Sequence, residues 1–415
     1  MRVVELFSGI GSQAKALERI NTPNLEILNT SEWDIHAIIA YDLIHNGKQD
    51  ISKYKDYTKE QLLELLSPYT LSINGKKPAT EKGLKFLDQE ILARTYYAIK
   101  RSNNLVSVQD IKGNQLPSNL DLLTYSFPCQ DLSNVGALHG YTKGIDIGAN
   151  TRSGMLWEVG RILKERQEED LDLPKFLLLE NVTNLDSRRH RANFEKWQGI
   201  LTDLGYYNKI YKLNALNFGV PQNRNRLIML SVLTHGDINL EKVINDYFCT
   251  NDLNKLDYIN SLSIEDKTLK DCLKIDYSNI KYYQEAIMSQ PENTISRETI
   301  WDKNPKLFKG QNEYASFCPT ITTKQDRHPN SGNIYFKTER NNYRFLTPRE
   351  CFILMGYDEE DYEIIINNNI STNKGYKQFF SRDKLYKLAG NSIVVNVLEQ
   401  VFKQMLHVKN SILKQ

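Results

Sequence analysis

Seven short strand-like segments, most of them separated by helical patterns, constrain the fold of this chain more than any other feature. The segments are Val3 to Phe7, Glu26 to Ser31, Leu105 to Gln109, Asp121 to Phe127, Phe176 to Val182, Tyr207 to Leu213 and Arg226 to Leu233. Alternation of strands with helices predicts an α/β fold with a doubly wound, mostly parallel, seven-stranded sheet. The last two segments are joined by a loop too short for a crossover helix, so we expect them to pair antiparallel.

The fourth segment is followed directly by a proline and a cysteine. The run Leu122 to Phe127 is typical of a buried strand in a parallel sheet, and Pro128 stops that strand. Cys129 is therefore predicted at the carboxyl edge of the sheet, where open α/β sheets bind ligands. Because most free cysteines are buried packing residues, this segment alone leaves both a structural and a catalytic role open.

A glycine-rich turn follows the first segment. Gly9 and Gly11 form a G-x-G pattern ahead of a helix predicted from about Gln13 to Arg19, and glycines let a ligand approach the backbone closely. Glu32 ends the second segment about twenty residues further on, where a ribose-binding carboxylate is expected. The third glycine of the dinucleotide fingerprint is missing, which favours a nucleoside ligand without a pyrophosphate over NAD.

Length and composition limit the class of protein. A chain of 415 residues exceeds one compact core, so we expect two domains, 1–233 plus 385–415 and 234–384. The longest apolar runs are too short for a transmembrane helix, and the N-terminus leads directly into a strand and not into a signal peptide. Five cysteines without a C-x-x-C pair indicate a reducing cytoplasm and no metal site. With a net charge of only +2, any surface that binds a polyanion would have to be a local basic face.

Eight segments resemble, in order, the motifs of the DNA (cytosine-5)-methyltransferases that use S-adenosylmethionine. They are Phe7 to Gly11, Glu32 to Trp33, Gln109 to Ile111, Phe127 to Gln130, Glu180 to Val182, Gln222 to Arg226, Arg344 to Cys351 and Gly390 to Val395. The resemblance covers nearly the whole chain. It implies a Rossmann-like class I methyltransferase fold with a smaller target-recognition domain, of the prokaryotic or phage modification type.

The resemblance also implies a site for S-adenosylmethionine, with S-adenosylhomocysteine as the product. Phe7 and Trp33 would flank the adenine, Glu32 would bind the ribose hydroxyls, and Asp110 would accept from the adenine amino group. The remaining implied cofactor residues are Gly9, Gly11, Ile111, Leu156, Asn391 and Ile393.

Catalysis is assigned to residues at the ends of neighbouring strands. A thiolate of Cys129 adding to C6 of cytosine would make C5 nucleophilic. Glu180 would protonate N3 and Arg226 would hold O2, while Arg224 would orient Glu180 or the adjoining loop. The sequence identifies no side chain that would remove the C5 proton, and a water molecule is an equally good candidate for this base.

The base must leave the duplex before these groups can reach it, so we expect base flipping. The long segment Asp131 to Arg152 contains four glycines and is predicted to close over the flipped cytosine. A passive surface loop is the alternative.

DNA recognition is predicted in residues 234–384, because the interval Thr234 to Asn342 breaks the strand–helix alternation. Lys324, Arg327, His328 and Asn330 are residue types that reach phosphates and base edges. The predicted DNA-contact residues are Gln130, Ser133, Thr320, Lys324 and Arg327. An ordinary polar loop remains the alternative for each of them. A helical, Lys-rich insert, residues 47–104, is either a peripheral cap or an extra contact to the DNA backbone.

These features predict methyl transfer to C5 of a flipped-out cytosine in a specific duplex DNA sequence, through a covalent Cys129–C6 adduct. We expect a cytoplasmic monomer, with any cognate restriction endonuclease acting separately. The target sequence stays open, with a short site such as CpG or a four-base site favoured. A tRNA-modifying member of the family, an inactive DNA-binding paralogue and a Rossmann oxidoreductase remain as alternatives. The last two are disfavoured by the presence of Cys129, Glu180 and Arg226 and by the missing glycine.

Overall fold

The computed structural model of the chain describes residues 1–128, 132, 145, 152–327, 332–372 and 377–414. These residues form two compact units. The first comprises Met1–Leu213, Asn225–Ile259 and Leu398–Gln415, and the second comprises Asn214–Arg224 and Asn260–Val397. Residues 234–259 thus go with the first unit, and 385–397 with the second, unlike the predicted domains. The division of cofactor binding and DNA recognition between two domains remains a prediction.

The first seven strands of the described chain build one large sheet and part of a small one. They are β1 (Arg2–Leu6), β2 (Glu26–Ser31), β3 (Leu122–Tyr125), β4 (Phe176–Val182), β5 (Tyr206–Asn214), β6 (Gln222–Asn223) and β7 (Asn225–Leu233). All but β6 form the large sheet, in the spatial order β2-β1-β3-β4-β7-β5. Strands β2, β1, β3 and β4 run parallel, and β7 runs antiparallel to β4. The predicted mostly parallel α/β sheet is therefore confirmed.

The predicted strand Leu105 to Gln109 is wrong. The amide of Leu105 donates to the carbonyl of Thr30 at 2.8 Å, but Val106 then takes a φ of +64°. This conformation is strained for a β-branched residue and ends the extended chain. A single turn of 3₁₀-helix follows at Val108–Asp110. The sheet consequently has six strands in the described chain, where seven were predicted.

The last two strands of the sheet, β5 and β7, are neighbours of opposite direction. The amide of Thr234, just after β7, donates to the carbonyl of Gly205, just before β5, at 2.9 Å. At the other end, the amide of Ala215 donates to the carbonyl of Arg224 at 3.0 Å. The predicted antiparallel pair is therefore confirmed.

Helices cover the sheet and build the insert. Those that begin before residue 260 are Ser12–Arg19, Ile35–Asn46, Lys59–Leu66, Glu81–Lys85, Gln89–Arg101, Leu156–Glu168, Arg191–Asp203, Ile238–Thr250 and Leu256–Asn260. The first confirms the helix predicted after the glycine turn, and three of them confirm that the insert is helical. The apolar core of this unit includes Val4, Leu123, Leu156, Leu179 and Trp197, so the buried strands pack directly on the helices.

The second unit contains shorter elements. Its helices are Leu269–Cys272, Ile280–Met288, Ile295–Lys303, Pro348–Leu354, Glu359–Asn367 and Arg382–Asn391, and the helix Val395–His407 begins in it. Its strands are β6 with β8 (Lys306–Phe308), β9 (Cys318–Pro319), β10 (Asn333–Tyr335), β11 (Tyr343–Phe345), β12 (Ser371–Thr372) and β13 (Lys377–Gln378). A buried ion pair stabilises this unit. The Arg344 guanidinium donates two hydrogen bonds to the carboxylate of Glu350, each at 2.8 Å.

Several predicted positions lie outside the described residues. They are Cys129, Gln130, Ser133, His328, Asn330 and most of the segment Asp131 to Arg152. Among the residues that are described, no helix is both long enough and apolar enough to cross a membrane.

Candidate active site

The carboxyl edge of the large sheet brings two of the predicted catalytic strands together. Strand β3 pairs in parallel with β4, with Tyr125 opposite Leu179. The chain leaves β3 through Phe127 and Pro128 towards the predicted nucleophile, while the next residue of β4 is Glu180. Because parallel neighbours end at the same edge, Pro128 and the Glu180 carboxyl lie at the same edge of the sheet.

Glu180 and Arg226 form an ion pair at this edge. In the antiparallel ladder Glu180 lies opposite Ile228, and Val182 lies opposite Arg226. Glu180 and Arg226 are therefore diagonal neighbours on one face, a separation that long side chains can bridge. The Arg226 Nε lies 3.0 Å from Glu180 Oε1, and the two side chains are only 16% and 10% exposed. The structure thus brings together Glu180 and Arg226, the two side chains that the sequence analysis expects at N3 and O2 of the cytosine.

Two asparagines hold the chain on either side of the predicted nucleophile. The side-chain amide of Asn181 donates to the carbonyl of Phe127 at 3.0 Å. The side-chain amide of Asn184 donates to the carbonyl of Leu132. Sequence reasoning gave neither residue a role, although Asn181 stands within the Glu-Asn-Val motif. These bonds fix the two ends of the short stretch that carries Cys129.

The cofactor loop has a left-handed backbone at three predicted positions. Phe7, Gly9 and Gly11 have φ values of +56°, +56° and +79°. A Cβ on Gly9 would find no heavy atom within 4 Å, whereas one on Gly11 would lie 2.1 Å from Nε2 of His45. Gly9 therefore borders open space that suits a ligand, and Gly11 is required by protein packing. Phe7 is not glycine, so its conformation is strained, as is common where a loop positions a ligand.

Glu32 is fixed by the backbone around it. Its Oε2 accepts from the amide of Gly9 at 3.1 Å, and its Oε1 accepts from the amides of Trp33 and Asp34 at 2.9 and 2.8 Å. Asn104 accepts from the amide of Glu32 and donates to its carbonyl, both at 3.0 Å. The carboxylate is thus oriented beside the glycine loop, as expected for a group that binds a ribose.

The predicted adenine segment is held by an arginine that sequence reasoning missed. Asp110 is exposed, while Ile111 and the helix-starting Leu156 are buried. The Arg161 guanidinium donates to the carbonyl of Ile111 at 2.8 Å and pairs with Glu165 at 2.7 Å. Because this segment is not a strand, its carbonyl groups need such donors from a helix.

A cavity of about 380 Å³ opens beside the same segment. Asp110 and Ile111 line it together with Tyr69, Thr70 and Lys100 of the insert. The insert therefore contributes a wall next to the predicted adenine position. The roles predicted for the insert, a peripheral cap or a DNA contact, did not include a contribution to the wall of this cavity.

A buried polar cluster lies beneath the cofactor loop. Glu5 of β1 accepts from the amide of Ala14 at 2.9 Å and from the hydroxyl of Tyr41 at 2.6 Å. Burial raises the pKa of Glu5, and these hydrogen bonds only partly oppose it. His45 adds two contacts, to the carbonyl of Ile10 at 3.1 Å and to Oε1 of Glu18 at 3.2 Å. This cluster connects the strand, the loop and the helix Ile35–Asn46.

In the second unit, Arg224 is a structural clamp. Its guanidinium donates to the carbonyls of Ile321, Ser392 and Gly390 at 2.7, 2.8 and 3.3 Å. A Cβ on Gly390 would lie 2.4 Å from the carbonyl carbon of Thr322, so this glycine allows the two segments to meet. These contacts match the loop-holding alternative for Arg224, and its catalytic role stays a prediction.

The other cofactor residues predicted in this unit lie close to the same clamp in sequence. Asn391 is exposed at the end of the helix Arg382–Asn391, and Ile393 is buried. Their contact with a cofactor remains a prediction.

The predicted DNA-contact residues of the second unit have different environments. The hydroxyl of Thr320 donates to the carbonyl of Asn223 at 2.7 Å, beside the parallel pairing of β6 with β9. Lys324 is exposed, and the Arg327 side chain is 64% exposed, with Nε 3.5 Å from Asp326. Thr320 therefore holds its segment to the backbone of Asn223, while Lys324 and Arg327 extend into solvent, and their contacts with DNA remain a prediction.

Comparison with known proteins gives consistent matches over the whole chain. Residues 84–407 match the family described as C-5 cytosine-specific DNA methylase. The orphan methyltransferase M.SssI of Spiroplasma monobiae is 34% identical over 98% of this chain and 97% of its own length. The type II methyltransferase M2.ScrFI of Lactococcus lactis subsp. cremoris is 31% identical over 98% and 99%. The crystal structure of the S. pombe Dnmt2 methyltransferase has a TM-score of 0.57 at 17% identity over 99% of both chains, which supports the fold alone.

Proposed function

Because the chain belongs to the C-5 cytosine-specific DNA methylases, and so is a DNA cytosine methyltransferase, we propose a specific mechanism. It transfers the methyl group of S-adenosylmethionine to C5 of a cytosine flipped out of duplex DNA, through a covalent bond between Cys129 and C6. The observation that carries this proposal is the Glu180–Arg226 pair, which lies at the sheet edge where β3 ends before Pro128.

The residues around the glycine loop fit S-adenosylmethionine. The open space above Gly9, the fixed Glu32 carboxylate and the exposed Asp110 suit the amino acid, ribose and adenine parts in turn. When bound, the cofactor supplies an electrophilic methyl group on a sulfonium. The absence of a third glycine agrees with a ligand that has no pyrophosphate.

Cys129 begins the reaction. Its thiolate adds to C6, and the electrons of the C5–C6 bond make C5 nucleophilic while negative charge moves towards N3 and O2. Glu180 delivers a proton to N3, and Arg226 donates to O2 and keeps Glu180 in place. After C5 takes the methyl group from the sulfonium, a base removes the C5 proton, the thiolate leaves C6 as the C5–C6 double bond re-forms, and N3 returns its proton to Glu180. Asn181 and Asn184 hold the backbone from which the thiolate acts.

Duplex DNA is the proposed substrate, with recognition in the second unit. Lys324 and Arg327 are exposed cations of the predicted recognition segment, and either can reach a phosphate or a base edge. Alanine at a base-reading position would relax the methylated sequence at one position. Alanine at a phosphate contact would weaken binding to all sequences and make its salt dependence shallower. Lys164→Ala, on an exposed helix surface of the first unit, is the control.

We further propose a cytoplasmic monomer, with any restriction endonuclease acting as a separate protein. Bisulfite sequencing of DNA from cells that express the chain would reveal both the activity and the target sequence. Methyl transfer to tRNA in place of duplex DNA would contradict the proposed substrate.

Trapping on a duplex that contains 5-fluorocytosine tests the covalent step. The wild type should form a stable protein–DNA adduct, and Cys129→Ser should form none while still binding DNA. Cys249→Ser, which alters an exposed free cysteine, is the matched control and should form the adduct normally. An adduct formed by Cys129→Ser would rule out this nucleophile.

Single-turnover methylation tests the acid. Glu180→Gln preserves the shape of the side chain but removes its proton and charge, so the rate should fall by about 10²-fold or more. Glu90→Gln changes an exposed glutamate of the insert and should leave the rate unchanged. A rate within a few fold of wild type in Glu180→Gln would contradict the assignment.

A further inference from the structure

His45 lies beneath the glycine loop with a hydrogen-bond acceptor at each ring nitrogen. Nε2 is 3.1 Å from the carbonyl oxygen of Ile10, and Nδ1 is 3.2 Å from Oε1 of Glu18. The side chain is only 5% exposed. A neutral imidazole carries one N–H and can donate to one of these acceptors, whereas an imidazolium donates to both. The geometry is therefore satisfied by the doubly protonated ring.

The ring is packed against the loop as well as hydrogen-bonded to it. Ile10 stands between Gly9 and Gly11, and a Cβ on Gly11 would lie 2.1 Å from Nε2 of His45. A side chain at position 11 would thus collide with the ring. The His45 ring therefore lies against the backbone of Gly11, and its contact with the Ile10 carbonyl at 3.1 Å links the ring to the glycine loop.

The groups that face His45 come from three elements. Glu18 belongs to the helix Ser12–Arg19, Glu5 belongs to β1, and Tyr41 lies on the helix of His45 itself with its ring centroid 4.5 Å away. Burial lowers the pKa of His45, but the hydrogen bond and charge of Glu18 and the charge of Glu5 outweigh burial, and the net shift is upward.

We propose that the His45 imidazolium is a positioning residue for the glycine loop, and that cofactor binding weakens when this ring loses its proton. The effect has a defined sign. A group with a raised pKa in the folded protein holds its partners fully below the ordinary histidine pKa of about 6.5 and releases them as pH rises through the raised value. The inference rests on the proposed function, since the loop must be the cofactor site.

Two measurements test the proposal. Isothermal titration with S-adenosylhomocysteine from about pH 6 to pH 9 should show the dissociation constant rising about fivefold, the effect of one lost hydrogen bond. In parallel, nuclear magnetic resonance of protein labelled at histidine carbons and glycine nitrogens follows the His45 ring and the amides of Gly9 and Gly11. All three signals should titrate with one midpoint, and binding should weaken around the same pH.

Three variants sharpen the test. His45→Gln should bind weakly at every pH and lose the pH dependence. Glu18→Gln removes the carboxylate partner, so the midpoint should move to lower pH while the size of the change is preserved. His235→Asn, which alters an exposed histidine of the first unit, should keep the wild-type profile.

Two results would overturn the inference. The first is an unchanged pH profile of binding in Glu18→Gln and His45→Gln. The second, which is available even if His45→Gln does not fold, is a wild-type His45 titration that leaves the Gly9 and Gly11 amides unmoved. Failure of the proposed function is distinguishable, because S-adenosylhomocysteine would then not bind at any pH while the amide titration still reports on His45.

Discussion

Replacing Arg224 with methionine should destabilise the second unit while leaving the Glu180–Arg226 pair in place. Arg224 is 3% exposed and donates to three backbone carbonyls from two separate segments. Methionine fills similar volume but donates nothing, so those carbonyls lose a charged donor in a buried place. The substitution therefore tests whether Arg224 holds the backbone or takes part in catalysis.

The contacts set the size of the effect. A hydrogen bond from a charged donor contributes about 1.5–3 kcal/mol. The loss of the two short bonds, at 2.7 and 2.8 Å, should therefore cost on the order of 3–5 kcal/mol in total. In a unit of about 150 residues, each kcal/mol lowers Tm by roughly 2–4 °C. The expected loss is thus on the order of 10 °C.

Differential scanning calorimetry measures this change. Lys324→Met removes an exposed cation from the same segment as the Ile321 acceptor and should unfold like the wild type. Arg224→Lys, which keeps the charge but cannot reach all three carbonyls, should fall between the two. A Tm for Arg224→Met within about 2 °C of wild type would refute the clamp. If Arg224→Met has a normal Tm but no methyl transfer, Arg224 has a catalytic role.

Asp121→Asn should lower the free energy of unfolding at neutral pH and make its further loss between about pH 4 and pH 2 smaller than in the wild type, which denaturant unfolding across that pH range would check. Burial raises the pKa of Asp121, but hydrogen bonds from Lys409 and a second lysine lower it to about 2. Its stabilising effect is present above the ordinary value and is lost as pH falls from about 4 to about 2, so the mutant should show a flatter acid profile. Gly11→Ala should disturb folding because of its steric overlap, whereas Gly9→Ala should fold at a cost of about 1–2 kcal/mol and bind S-adenosylhomocysteine poorly; equal binding would mean the space above Gly9 is not used. Arg161→Met should weaken S-adenosylhomocysteine binding and leave DNA binding unchanged, which fluorescence titration would check.

The central strands and the catalytic pair could be predicted because their signals are local. The apolar run Phe176 to Leu179 predicts a strand that continues to Val182, and the structure gives the strand these limits. The glycines ahead of the first helix signal a turn, and both have positive φ. Glu180 and Arg226 then meet because each stands at a strand end, and strand order fixes their distance.

The parts that were missed depend on partners distant in sequence. Leu105 to Gln109 has the composition of a strand, but Arg161, more than fifty residues later, donates to the carbonyls of Val108 and Gln109, which a strand would have given to a neighbour. The sequence around His45 does not indicate its hydrogen bonds, because the partners of its ring, Ile10 and Glu18, lie in the glycine loop and in the helix Ser12–Arg19. Tertiary hydrogen bonds of this kind override the apolar pattern of a short segment.

The register between β4 and β7 limits how this part of the chain can change in length. Side chains alternate between the two faces of a strand, so inserting or deleting one residue within β7 would turn Arg226 away from Glu180. A change of two residues would restore the face but move the guanidinium by about 7 Å along the ladder. A change in length that preserves the Glu180–Arg226 pair must therefore fall outside the ladder that β4 and β7 form.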